Sequence, residues 1–386
     1  MLKPPLITVI DRNFALKAQI DIYTSFMLNR RWQSVGDWQL VLPATAQGAD
    51  KLTVGNIIIL GADGHRSGYI ESVSAVEDDR GVTLTVKGKT LQGLTSQRIT
   101  LPDNDQYNYG YDNVPPLTDT EINPTPIPAE TILKTYAVRH LTDCTDLKRR
   151  IPALVIAADK HRGRSAVWSS RLEQLSAVFQ DVSEYCDCGY EIYADLAQKQ
   201  FVFDIITGTD RSSSQSENSR VIFSKSFDNI LNCTYDNDVS GLRNIGYAGG
   251  KGEGADRVIL KVTPDEAEPE GWERREVFLD CGQLEVLETE TSMSLADEGL
   301  HKMKSYTKTE ALTATVADTA SFAYLKKWDL GDKVTVVSKT IGVQFDTRIT
   351  AVTERYEGGS SGIDVTFGSP SADLGRVISR LKTAVR

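Results

Sequence analysis

The stretch Leu330-Gly331-Asp332-Lys333-Val334-Thr335-Val336-Val337 opens a series of strand-like blocks that closes at Phe367. A second block is Thr347-Arg348-Ile349-Thr350-Ala351-Val352. A third, past the loop Gly358-Gly359-Ser360-Ser361, is Gly362-Ile363-Asp364-Val365-Thr366-Phe367. Apolar and polar residues alternate between Gly-rich turns, which is the pattern of half-buried antiparallel strands.

The same grammar occurs near the amino end. Val54-Gly55-Asn56 leads into Ile57, Ile58 and Ile59; Gly68-Tyr69-Ile70-Glu71-Ser72-Val73 matches the second block, and Gly81-Val82-Thr83-Leu84-Thr85-Val86 the third. Both second blocks place an Ile three residues before a Val, at Ile70 and Val73 and at Ile349 and Val352. Two unrelated β-meanders could share this grammar; the other reading is a duplicated small barrel. Under that reading, three copies of the chain around an axis present six similar barrels, a quasi-sixfold ring.

Length and composition bound the rest. A chain of 386 residues, 40% apolar and 25% charged, suits several soluble globular domains. No apolar run reaches the roughly 18 residues a membrane span needs. Met1-Leu2-Lys3-Pro4-Pro5 opens no signal-peptide core, which argues against export by that route. The formal charge of -10 argues against a surface built to grip phosphates, though not against one that nucleic acid passes without sticking. Cys144, Cys186, Cys188, Cys233 and Cys281 are odd in number and lack zinc-ribbon spacing, so they read as free thiols in a reducing compartment.

Taken in order, residues 6 to 42 alternate strongly and end in Gly36-Asp37-Trp38-Gln39-Leu40-Val41-Leu42-Pro43, with Trp38, Leu40 and Leu42 on one strand face. From Leu101 to Pro128 the prolines Pro115, Pro116, Pro124, Pro126 and Pro128 and the tyrosines Tyr107, Tyr109 and Tyr111 mark a long irregular connection, functional or packed along a surface. A short helix follows, with Pro128 in its first turn and Ile132, Leu133, Tyr136 and Ala137 at helical spacing. Lys148-Arg149-Arg150 with Lys160, His161, Arg162 and Arg164 is a basic patch, read as a solvated face or subunit contact before a phosphate site. Ser169 or Ser170 is expected to cap a helix whose stripe is Leu172, Leu175, Val178, Phe179 and Val182, and Tyr190 to Ile205 reads as a hairpin. Strands are expected at 221–223, 230–235 and 244–247 and pair, under the barrel reading, with those at 328–368. Ser294 through Lys304 reads as a helix and Ala311 to Ala317 as a strand.

The expected fold class is mainly β with α+β parts: two similar small β-barrels and two peripheral α+β domains. The boundaries are 1–100 for the first barrel, 101–219 for an α+β domain with its Pro-rich lead-in, 220–247 and 321–370 for a discontinuous second barrel, and 248–320 for an inserted strand/helix domain. Residues 371–386 read as a basic amphipathic helix, suited to docking on a partner or sister subunit or to lying on a membrane surface.

Chemistry finds little footing. The histidines His65, His140, His161 and His301 sit in no Gly-x-Ser-x-Gly elbow or His-Glu-x-x-His helix. Cys186-Asp187-Cys188 has one residue between its thiols where redox motifs have two. In Gly249-Gly250-Lys251-Gly252-Glu253-Gly254 the lysine is followed by Gly, not Ser or Thr, so a hairpin tip is expected and not a phosphate loop. No catalytic, cofactor-binding or metal-ligating residue is assigned, no cofactor is expected, and the chain reads as a non-enzyme. A cell-wall hydrolase and a carbohydrate-binding adhesin using Tyr107 to Tyr111 are the alternatives.

The order Gly-Asp-Trp-Gln-Leu-Val-Leu-Pro (36–43), Gly-Tyr-Ile-Glu-Ser (68–72), Val-Lys-Gly-Lys-Thr-Leu (86–91), Ala-Glu-Thr-Ile-Leu-Lys-Thr-Tyr (129–136), Gly-Thr-Asp-Arg (208–211), Val-Ile-Phe-Ser (221–224) and Leu-Gly-Asp-Lys-Val (330–334) resembles siphophage tail-tip hub proteins. It is similar to the amino-terminal hub region of tail-associated lysins and, more distantly, to contractile-phage baseplate hubs. The resemblance implies tube-type barrels in a homotrimer that closes the distal end of the tail tube and opens for DNA ejection. It also implies a virion protein, from a free phage or a prophage, assembled in the host cytoplasm. Its implied partners are the distal tail protein ring, the tail tube and tape measure proteins, and tail fibre or lysin proteins, with genomic DNA passing through unbound. Tail-associated lysins carry a lytic or receptor-binding region after the hub; this sequence ends at Arg386, so such a part is expected on another polypeptide.

Overall fold

The computed structural model of the protein describes residues 4–79, 81–102, 111–116, 125–252, 254–264, 268–282, 295–303, 305–319, 322–340 and 342–369. Tyr107, Tyr109 and the expected helix at 371–386 lie outside them. The chain divides into two compact units. One comprises Met1–Pro116, Pro126–Cys233 and Thr313–Phe367, the other Leu117–Thr125, Thr234–Leu312 and Gly368–Arg386.

The amino-terminal strands are β1 (Ile7–Ile10), β2 (Leu16–Ile20), β3 (Ser25–Arg31), β4 (Asp37–Pro43), β5 (Ile57–Leu60), β6 (Asp63–Asp78) and β7 (Gly81–Thr90). Period-two alternation sorts their side chains. Trp38, Leu40 and Leu42 of β4 are buried with Phe26, Leu28, Ile58, Leu60, Ile70 and Val86 on one side of the sheet. Ile57, Ile59 and Tyr69 face the opposite side, where helical layers cover them. Strand β5 is therefore apolar without interruption because both its faces are covered, each buried Ile contributing about 1.5–3 kcal/mol.

Those covering layers come next in the chain. They are β8 (Asp112–Val114), β9 (Ile127–Pro128), α1 (Ala129–Ala137), β10 (Leu154–Ile156), β11 (Ser165–Ala166), β12 (Trp168–Ser170), α2 (Leu175–Cys186), β13 (Gly189–Asp195) and β14 (Gln200–Ile206). Helix α1 starts directly after Pro128, and Ile132, Leu133, Tyr136 and Ala137 are all fully buried, as their spacing predicts. The hairpin β13–β14 also forms, with β10 parallel to β14. The cap of α2 is a correction. Ser169 and Ser170 lie in β12, paired with β8, and Leu172 takes a left-handed turn outside the helix, which begins after Gln174. Strand pairing holds the backbone of both serines in β12, too far ahead of the helix to cap it, and Ser170 Oγ donates instead to Tyr136 Oη at 3.2 Å.

The carboxyl-terminal part contains β15 (Ile222–Ser224), β16 (Ile230–Asp238), β17 (Ile245–Gly249), β18 (Ile259–Val262), β19 (Glu276–Asp280), α3 (Leu295–Met303), β20 (Thr309–Val316), β21 (Lys333–Ser338), β22 (Val343–Glu357) and β23 (Ser360–Ser369). Strands β18, β17 and β19 form a separate sheet in the second unit, and Ala248, Val262, Leu279, Cys281 and Met303 make its core with α3. The strand at 245–249 thus pairs with 259–262 and 276–280, not with the strands after 328. Gly250, Lys251, Gly252 and Gly254 lie in the connection between the antiparallel strands β17 and β18, as the sequence suggests.

The class is mainly β with α+β parts, and the repeat is real in three dimensions. One 13-stranded sheet runs β16-β20-β23-β22-β3-β4-β7-β6-β5-β1-β2, with β21 on the other half of β22 and β15 beside β21. The order β3-β4-β7-β6-β5-β1 is therefore repeated by β16-β20-β23-β22-β21-β15. Residues 239–308, which include the small sheet and α3, interrupt the second copy where the first has only the turn between β3 and β4. Both long strands carry a bulge at the same place, between Ile70 and Ser72 and between Ile349 and Ala351. Both are held by the same pair of bonds. Gly55 N–H donates to Ile70 O at 2.9 Å and Ile70 N–H to Asn56 O at 2.8 Å; Gly331 N–H donates to Ile349 O and Ile349 N–H to Asp332 O, each at 2.9 Å. One departure is that β1 is antiparallel to β5 whereas β15 is parallel to β21.

No barrel closes through strand pairing among the described residues. The reason is length. Strand β22 has 15 residues against six in β21, and the half that outruns β21 takes β3 of the other copy as its neighbour.

Both repeat turns need glycine, at φ +90° for Gly55 and +87° for Gly331. A Cβ at Gly55 meets only the mobile Arg12 guanidinium, whereas one at Gly331 would stand 2.7 Å from the buried Trp32 ring. Gly55→Ala is therefore expected to cost about 1–2 kcal/mol for the left-handed backbone. Gly331→Ala adds a further ~1–3 kcal/mol of overpacking. Urea unfolding of the two variants checks this, and equal losses would refute the role given to Trp32.

Candidate functional site

With no reactive constellation to follow, the site to examine is the joint between the two copies. Strands β22 and β3 pair antiparallel from Ala351 opposite Arg31 to Glu357 opposite Ser25. Buried side chains lock this joint. Arg66 of β6 reaches Glu354 of β22 with two nitrogens, Nε at 2.9 Å from Oε1 and Nη2 against Oε2, and Tyr356 Oη donates to Glu354 at 2.8 Å. Glu354 is completely buried and Arg66 8% exposed, so the pair sits in a low-dielectric interior. Burial alone would lower the Arg66 pKa, but Glu354 holds it above its ordinary value. Burial likewise pushes the Tyr356 hydroxyl well up, with Glu354 adding to the effect.

A second lock ties β3 to the turn before β21. Buried Arg30 donates to Tyr324 Oη at 2.7 Å and to Asp329 at 2.8 Å. A third centres on Trp32, 1% exposed, with the Arg348 guanidinium 4.3 Å from its ring centroid. Arg348 also donates to Gly331 O at 2.6 Å and pairs with Asp187, whose left-handed conformation ends α2. Asp332, the counterpart of Asn56, accepts from Thr209 N–H at 2.8 Å and Arg211 Nε at 2.9 Å. These bonds tie the two copies together around the β22–β3 pairing.

The arginines of the basic patch contact other residues of the chain. Arg162 binds Glu130 at 2.8 Å, Arg150 binds Asp143 at 2.8 Å, Arg149 donates to Ile99 O at 2.7 Å, and Arg164 lies 4.8 Å over the Tyr185 ring. His65 stacks on Tyr193 and bonds Glu191 at 2.9 Å, a contact that raises its pKa. His140 is buried, its Nε2 2.6 Å from Asp112 Oδ2 and its ring stacked on Tyr136. His161 lies beside Asp159 and Thr131, and His301 falls in α3. Cys186 and Cys188 are both buried, and burial pushes the Cys188 thiol up to about 12, the opposite of a reactive thiolate. Tyr111 is 47% exposed with Arg171 5.7 Å from its ring.

Among the described residues no group of His, Cys, Asp or Glu has the geometry to hold a metal ion, and no helix is long and apolar enough to cross a membrane. A shallow open recess is lined by Arg220, Ile222, Phe227, Asn229, Thr319 and Phe322. The locks Arg66–Glu354 and Arg30–Asp329 escaped sequence reading. Arg66, Glu354 and Arg30 lie within strands at positions whose polarity reads as solvent-facing, and the partners are 288 and 299 residues apart.

Solved structures share this architecture. The tail protein from Neisseria meningitidis MC58 superposes with a TM-score of 0.55 at 12% identity, covering 95% of this chain and 96% of that one. The 43 kDa tail protein of prophage MuSo2 from Shewanella oneidensis gives 0.56 at 11% identity, covering 95% and 98%. Prophage tail protein gp18 from Listeria monocytogenes EGD-e gives 0.50 at 11%, covering 98% and 99%. The fold is thus shared with these three tail proteins. The chain itself belongs to the siphovirus ReqiPepy6 Gp37-like protein family, whose profile matches residues 6–369. The resemblance to siphophage tail proteins drawn from sequence holds at the level of that family. No protein of curated function matches the sequence significantly.

Proposed function

We propose that the protein is a structural hub of a phage or prophage tail tip: a homotrimer of tube-type modules that closes the distal end of the tail tube and opens for DNA ejection. The observation that carries this reading is the duplicated six-strand module, repeated down to its bulge and turn bonds. Two such modules per chain let three chains present six equivalent faces to a sixfold tube, which resolves the symmetry mismatch without a second protein. A negative net charge suits a lumen that phosphates traverse, because fixed anions repel them. The distal tail ring, tube and tape measure proteins are the partners this position requires, and the virion is its location.

Light scattering on the purified protein is expected to give about three chains per particle. A monomer persisting at high concentration would count against the hub. Incubation with purified peptidoglycan is expected to release no fragments, and clear release would instead favour a tail-borne hydrolase.

A further inference from the structure

The internal joint is a template for a joint between chains. Within one chain the second module offers the outer half of β22, and the first module answers with β3. The equivalents of these two strands in the other modules are β6 and β16. From Ser72 to Glu77, β6 pairs with β7 alone, and β16 stands at one end of the strand order with β20 as its sole strand neighbour among the described residues. We propose that these two edges are halves of one interface, β6 of one copy pairing antiparallel with β16 of the next.

Composition agrees. Proteins protect free edges with lysine, proline or inward charge. Ser72-Val73-Ser74-Ala75-Val76 and Ile230-Leu231-Asn232-Cys233 contain none of these. Val76 is 65% exposed, Leu231 62% and Val73 38%, apolar area that a second strand would cover. Both edges bear backbone groups ready for strand addition. The contact joins two different patches, so it is heterologous and propagates head to tail until the rotation closes. It rests on the hub reading only for the number of copies in the ring.

A native thiol makes the pairing testable. Cys233 lies on β16 and is half-buried. Ser72→Cys, Ser74→Cys and Val76→Cys, made singly and treated with diamide as two-electron oxidant, scan β6 for the position opposite it. At least one variant is expected to give disulfide-linked oligomers on a non-reducing gel, lost when Cys233→Ser is added. Hydrogen exchange on the unmodified protein should show those Ser72–Val76 amides that point away from β7 protected in the assembled particle and fast after dilution to monomer. Absence of Cys233-dependent links together with unprotected amides, in a particle that light scattering shows to be trimeric, would overturn the interface and leave the hub standing. A monomer at all concentrations would overturn both.

Discussion

Glu354→Ala is expected to lower the stability of the first unit by about 3–5 kcal/mol, the usual penalty for breaking a buried ion pair from one side. The carboxylate is wholly buried in β22 and takes both Arg66 Nε and the Tyr356 hydroxyl, so its removal strands a guanidinium that has only 8% of its surface in water. Arg66 belongs to the first module and Glu354 to the second, and the loss therefore falls on the joint itself. The double variant Arg66→Met with Glu354→Leu separates charge from packing. Removing both ions at once eliminates their desolvation cost, and such replacements are often neutral or stabilising by about 1–4 kcal/mol. Urea unfolding of the two proteins gives the comparison. If the double variant is as unstable as the single one, the residues matter for shape and not as a pair.

How much of this was legible beforehand depends on the range of the interaction. The repeat could be read because its signals are local: a positive-φ glycine at Gly55 and Gly331, and the Ile70–Val73 and Ile349–Val352 spacings that turned out to flank matching bulges. Helix α1 could be read because its apolar positions recur at helical spacing. The choice of β3 as neighbour of β22 could not, since strand partners separated by more than 300 residues leave no periodic mark on either segment. For the same reason Ile245–Gly249 was grouped with the wrong sheet: a short apolar strand announces that it will pair, not with what. Glu354 reads as a polar-out residue in Thr353-Glu354-Arg355, and only the arrival of Arg66 makes its burial tolerable.

Glu130 supplies the second large effect, this time through pH. It sits in the first turn of α1, fully buried, and accepts from Lys134 Nζ at 2.6 Å, from Arg162 Nε at 2.8 Å and from the Arg162 backbone N–H at 3.0 Å. Burial alone would raise its pKa; the hydrogen bonds from Arg162 and Lys134 outweigh it and hold the carboxyl at about 2, below the ordinary 4.5. A group whose folded pKa is depressed stabilises the fold fully above its unfolded value and loses that contribution as pH falls through the folded value. The window for this residue therefore runs from about 4.5 down to about 2. Glu130→Gln is expected to cost about 3 kcal/mol at neutral pH, because Lys134 and Arg162 then lose the fully buried carboxylate they share and keep Asp204, 2.9 and 3.5 Å away. Thermal midpoints of parent and variant should converge as the pH is lowered through that window, since protonation turns the parent into a near copy of the variant. Curves that stay parallel down to pH 2 would mean that the carboxylate is not what the site holds. Arg162→Gln refines the test: with Lys134 left to hold the charge, the acid limb should begin at higher pH than in the parent, because the depression of the Glu130 pKa depends first on the guanidinium.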